Sequence, residues 1–165
     1  MATASFDLQP FGMLIGHSDI TNPARPEAVT GGILFSGTQT EEAVRIIKMP
    51  SDYASTPVVK INGSMVSATA GTIDLVIKCV AVSAGDAQDI DAKAYDSDNS
   101  SGAVTVPGTV VYPFSTDISI ALANNDSLVA ADYLKMFIFR DHDSVNDNVV
   151  TDFLLRVAVL EYTKS

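Results

Sequence analysis

Eight short runs rich in Val, Ile, Phe and Tyr divide most of this chain, each closed off by Gly, Pro, Asn, Asp or Ser. They read GGILFSG, EEAVRIIKM, PVVKING, TIDLVIKCVAV, VTVPGTVVYPF, TDISIAL, LKMFIFR and FLLRVAVLEY. β-Branched and aromatic side chains pack well on a pleated surface, and their spacing between turn signals is that of a sandwich or barrel. In TDISIAL the apolar Ile118, Ile120 and Leu122 fall on one face, with Asp117, Ser119 and Ala121 on the other. In TIDLVIKC the set Ile73, Leu75, Ile77 and Cys79 opposes Asp74 and Lys78. One dry and one wet face per strand belongs to an antiparallel sheet packed on a second sheet. Helical signal is confined to one turn's worth in NDSLVAADYL, with Asp126 or Ser127 as its cap. The expectation is an all-β chain: an antiparallel β-sandwich of jelly-roll type with about eight strands.

At 165 residues a single core suffices, and a domain of that length buries roughly two-thirds of its unfolded surface. Residues 1–30 are expected to form an N-terminal arm or first strand and a loop, and residues 31–165 the jelly-roll sandwich. The apolar stretch SFDLQPFGMLIG either pairs as the first strand of the chain's own sheet or docks on another subunit. In the second case Phe6, Leu8, Phe11, Met13 and Leu14 would contact a neighbouring protomer or another protein, in the manner of strand addition. Between Gly16 and Gly31 two prolines and no periodicity indicate a loop, and Pro50 to Ser55 reads as a tight turn.

Charge narrows the range of partners. Twenty acidic against ten basic residues give a net charge of −10, a field that repels phosphate backbones and anionic lipid. Direct binding to nucleic acid or to a membrane surface is therefore not expected, and no apolar stretch approaches the roughly 20 residues of a membrane helix. The opening MATASFDLQP lacks the basic and apolar regions of a secretory signal. Cys79 is the only cysteine, so no intrachain disulfide is possible and a reducing compartment is expected. On its strand face the thiol reads as a small buried hydrophobe.

Chemistry, if any, would sit in two acidic loops, DSDNSSG from Asp96 and FRDHDSVNDNVVTDF from Phe139. An EF-hand loop needs oxygen ligands at positions 1, 3 and 5, a glycine at 6 and a glutamate at 12. Counted from Asp141, those last three places hold Val145, Asn146 and Asp152; counted from Asp96, positions 6 and 12 hold Ser101 and Pro107. His17 and His142 lie in different loops with no zinc spacing around them. Neither a Gly-x-Ser-x-Gly elbow nor a phosphate-cradling loop occurs. Sugar-cleaving sites stack their substrates on aromatics, and this chain has no tryptophan and 7% aromatic residues. No catalytic residue, metal or cofactor is expected. LKMFIFR and FLLRVAVLEY would form a hairpin, the Asp-rich segment would be its solvated turn, and Arg140 and Asp141 would make a structural ion pair or cap the loop.

ADYLKMFIFRDHDSVNDN followed by FLLRVAVLEYT resembles the closing segments of small jelly-roll virion proteins of tailed bacteriophages. The matching positions are Ala131 and Asp132, Arg140 and Asp141, Asn146 and Asp147, and Tyr162. Upstream, GILFSGTQTEEAVRIIKMPSDYA is similar to the same family's strand, turn, strand and Pro-x-Asp-Tyr motif, filled here by Pro50, Asp52 and Tyr53. The chain departs from that pattern in lacking a tryptophan on the following strand. The resemblance implies a homotrimeric capsid decoration or cement protein. Such a protein assembles in the host cytoplasm and sits on the virion exterior, where it bridges subunits of the major capsid protein. A second reading is a receptor- or carbohydrate-binding fibre-tip or head-fibre module, with calcium in the acidic loops; the absence of a long shaft speaks for the first. A third, an enzyme on a sandwich scaffold, has no catalytic constellation behind it.

Overall fold

A computed structural model describes residues 2–8, 25–26 and 32–165. In chain order the strands are Thr3–Asp7 (β1), Arg25–Pro26 (β2), Ile33–Phe35 (β3), Glu42–Lys48 (β4), Tyr53–Met65 (β5), Thr72–Ile73 (β6), Leu75–Val82 (β7), Asn99–Ser100 (β8), Val104–Thr105 (β9), Ile118–Ala121 (β10), Tyr133–Arg140 (β11) and Phe153–Lys164 (β12). There is no helix among the described residues. A six-stranded sheet runs β10-β5-β12-β3-β2, with β1 also on β12, and a four-stranded sheet runs β4-β11-β7-β8. All the pairings are antiparallel.

The strand order identifies the topology. With β3, β4, β5, β7, β8, β10, β11 and β12 numbered one to eight, the two sheets read 1-8-3-6 and 2-7-4-5. That is the order of a jelly roll, in which most consecutive strands cross from one sheet to the other. The fold is an all-β, antiparallel jelly-roll sandwich.

Strand alternation explains why the layers close. In β10 the buried positions are Ile118 and Ile120, as the period of two demands. From the large sheet Phe35, Ile61, Phe153, Leu155 and Leu160 face inward, and they join Ile77, Cys79, Leu134, Met136 and Ile138 of the small sheet in one core.

Four expectations need correction. First, β11 and β12 do not form a hairpin, because they lie in different sheets: β11 sits between β4 and β7, and β12 between β5 and β3. The Asp-rich segment is therefore a crossover that spans the end of the sandwich. Second, VTVPGTVVYPF holds a strand only at Val104–Thr105. Pro107 and Pro113 have no N–H to give a ladder, and the segment between them loops outward. Third, NDSLVAADYL is a chain of turns, with Asp126, Ser127 and Ala131 at φ of 58°, 60° and 67°. Fourth, the outer side of the small sheet is wet only in part: Tyr133 and Lys78 reach solvent, but its centre is covered. Lys135, Phe137 and Phe139 on its outer side are all under 9% exposed, because Tyr95, from the segment between β7 and β8, packs 5.2 Å from the Phe137 ring.

At the N-terminus, Thr3–Asp7 pairs with Val159–Thr163 in the large sheet, so this stretch is a strand of the chain's own sandwich. The side chain of Leu8 is fully buried in the core, and its N–H donates to the Ala158 carbonyl at 2.8 Å. Leu8 is thereby withdrawn from the contact set expected of an arm. Phe6, partly buried, stacks on Tyr162 with ring centroids 5.6 Å apart. Phe11, Met13 and Leu14 lie outside the described residues, as does His17.

Candidate functional site

The two acidic loops meet, and Asp74 is where they meet. This residue occupies the position between β6 and β7 and is 2% exposed. Its Oδ1 accepts the hydroxyls of Ser100 (2.7 Å) and Ser101 (3.3 Å), and its Oδ2 accepts Ser144 Oγ (2.8 Å) and Asn146 Nδ2 (3.4 Å). Its carbonyl takes the Asp141 N–H at 2.9 Å. Four donors on one carboxylate fill its acceptor capacity. Asp74 is thus a brace between loops, with nothing left over for a cation.

Arg140 and Asp147 lie beside it. Arg140 is fully buried and makes a two-point pair with Asp147, Nε to Oδ2 and Nη2 to Oδ1, both at 2.7 Å. The guanidinium also donates to the Val149 and Thr151 carbonyls, and Asp147 Oδ2 accepts the Asp74 N–H at 3.2 Å. A charge taken out of water is tolerable only with such full pairing. Arg140 is structural, as the sequence suggested, but its partner is Asp147 and not Asp141. The crossover is a solvated turn only in part: Val145 and Val150 are exposed, but Asp147 and Val149 are buried along it.

Asp141 is the strained member of this end. Burial and the neighbouring Asp74 charge push its carboxyl above the usual carboxylate range. A raised carboxyl favours the folded state when protonated, so its charge costs stability above the folded pKa and nothing below the unfolded one. Asp141→Asn is expected to raise the melting temperature by a degree or two at neutral pH, and the gain should vanish near about pH 3. Equal gains at both pH values would contradict this assignment.

At the opposite end of β11 the remaining residues of the resemblance converge. Tyr162 OH and Lys164 Nζ both reach the Asp52 carboxylate, at 3.3 and 3.0 Å, and Tyr53 packs 6.1 Å from the Tyr162 ring. Pro50 accepts the Ala131 N–H at 3.3 Å, and Asp132 takes Ser83 Oγ (2.7 Å) and the Val129 N–H (2.9 Å) on its carboxylate. These side chains tie turns and termini together.

Cys79 is fully buried, and burial pushes its thiol up to about 12, with Asp96 and Asp126 adding to the rise. At that value it is not a nucleophile. Among the described residues no group of three or more His, Cys, Asp or Glu side chains could hold a metal. His142 contacts Thr40 and Asp143 instead, each at 3.2 Å.

Val145 and Val150 of the crossover are the most exposed apolar side chains among the described residues, and a further apolar group lies outward on and beside the large sheet. Leu34, Val66, Val111 and Leu154, with Ser64, Asp152 and Arg156, line a groove of about 250 Å3 on its outer face. Val66 is 44% exposed, Val111 56% and, further along β12, Val157 46%. The register shift between Leu155 and Val157 places this valine on the surface. Sequence reasoning missed this face because β12 was assigned to a hairpin.

Comparison with known proteins is spare. No protein-family model matches the chain, and no curated protein matches it. One solved structure, a carbohydrate-binding module described for specific mannan recognition, covers 97% of this chain and 89% of its own, at 11% identity and a TM-score of 0.41. A likeness of that size does not extend to ligands.

Proposed function

We propose that this chain is a non-enzymatic virion structural protein: a homotrimer that decorates the exterior of a tailed-phage head and bridges subunits of its major capsid protein. One observation carries the reading. The buried carboxylates Asp74 and Asp147 are spent internally on bracing one end of the sandwich, while Val66, Val111 and Val157 lie exposed on and beside the outer face of the large sheet. A protein built this way acts by contact. The net charge of −10 suits a position outside a shell, away from packaged nucleic acid.

The mechanism is avidity. Three weakly binding protomers held together gain a large effective concentration, but only on a lattice whose subunits are spaced to receive them. Whatever binds the assembled shell and not its parts stabilises the shell by mass action. Incubated with purified heads of its own phage and with unassembled capsid subunits, the protein should co-sediment with heads alone. Equal binding to both, or binding to neither, would contradict the proposal.

A further inference from the structure

We propose that the cleft beside Tyr112 is a binding site for a neutral oligosaccharide, separate from the sheet face assigned to partner contact. The cleft measures about 820 Å3 and lies between two limbs of chain, 101–109 and 112–119. That volume falls in the range of roughly 300–1,000 Å3 typical of small-ligand sites.

Its lining selects the chemistry. No lysine or arginine lines it and Asp117 is its only charged residue, a lining that disfavours an anion. The hydroxyls of Thr109, Ser115 and Thr116 make no hydrogen bond with described residues, and Asp117 gives one oxygen, Oδ1, to Asn62 at 2.9 Å. These groups donate to and accept from the hydroxyls of a sugar chain. Tyr112 is 62% exposed, and its ring meets no other ring or cation among the described residues. An exposed, rigid, amphipathic ring offers a flat apolar surface to the C–H face of a pyranose and a hydroxyl to its edge.

Backbone strain marks the same loop. Val111 has φ of 55°, a conformation that β-branched residues avoid. The strain persists because its surroundings hold it: the Val111 N–H donates to Met65 O at 3.0 Å, Pro113 bridges Ser64, and the Phe114 N–H donates to Gly63 O at 3.0 Å. Phe114 is buried 5.9 Å from the Phe153 ring. Strain maintained this way clusters at binding loops, where it presets a side chain. Here it turns Val111 to the sheet groove and Tyr112 to the cleft.

The test is an amide-shift titration of the intact protein with cellohexaose, mannohexaose and maltohexaose in turn. At least one sugar should perturb the amides of Thr109, Tyr112, Ser115 and Thr116. Tyr112→Ala should weaken that binding by about tenfold, whereas Tyr133→Ala, at an exposed tyrosine elsewhere, should leave it unchanged. Three outcomes would overturn the site: no perturbation by any of the sugars, perturbation centred on other loops, or binding unaltered in Tyr112→Ala. None of them bears on whether the chain assembles on a shell.

Discussion

Replacing Arg140 by alanine is expected to destabilise the fold by about 3–5 kcal/mol, the usual cost of removing one partner of a buried ion pair. The loss has three parts. Asp147, 8% exposed, would be left buried without its counter-ion, the Val149 and Thr151 carbonyls would lose their donor, and a large, fully buried side chain would leave a void. For a domain of this size that corresponds to a fall of roughly 10 °C in melting temperature. The companion experiment distinguishes pairing from packing. Arg140→Met with Asp147→Leu should cost less than Arg140→Ala alone, because no charge is stranded. A loss under about 1 kcal/mol in the single variant would mean that the pair is hydrated and braces nothing.

The second large effect comes from a residue with no side chain. Gly63 sits in β5 opposite Leu155, and a Cβ there would lie 2.2 Å from the Leu154 carbonyl oxygen and 2.6 Å from Phe153 Cζ. The first of those atoms is backbone in the ladder joining the two longest strands, so relief requires separating them. Gly63→Ala should cost about 3 kcal/mol, at the upper end for overpacking. Gly108→Ala, where nothing lies within 4 Å of the added Cβ, should cost close to nothing. Chemical unfolding of the two variants checks the contrast, and comparable losses in both would contradict it.

Much of the framework could be read without coordinates, and the reason is periodicity. The alternation in Ile118–Ala121 survives unchanged as a buried and exposed pattern, and Ile73, Leu75, Ile77 and Cys79 share the core face as their spacing requires. Pairing is different. Nothing local tells β11 that its neighbours are β4 and β7, so adjacency in sequence suggested a hairpin that the jelly-roll order forbids. Asp74 shows a second limit. Its position opposite the core face marked it as wet, yet Ser100, Ser101, Ser144 and Asn146 close over it from two distant loops. A lone carboxylate inside an apolar strand was the available signal. At Val110 to Tyr112 the composition reads as strand, but Pro107 and Pro113 interrupt the ladder and the segment loops outward. The side chains there turn outward, and the proposed sugar site depends on them.

The resemblance to virion jelly rolls rests on residues whose work is structural. Pro50, Asp52, Tyr53, Ala131, Asp132 and Tyr162 brace one end of the sandwich, while Arg140, Asp141, Asn146 and Asp147 brace the other. These positions are therefore needed by the fold. Assembly would be governed by the outer sheet face, where Val66, Val111 and Val157 are exposed.

Light scattering of the full chain after size exclusion tests the proposed assembly most directly. The subunit is 17.4 kDa, and three copies would read about 52 kDa at the concentrations of a purified sample. That mass, lost on Val157→Glu with the fold intact, is the predicted result. A monomer at 17.4 kDa across the whole concentration range would contradict a trimer acting by avidity on a shell.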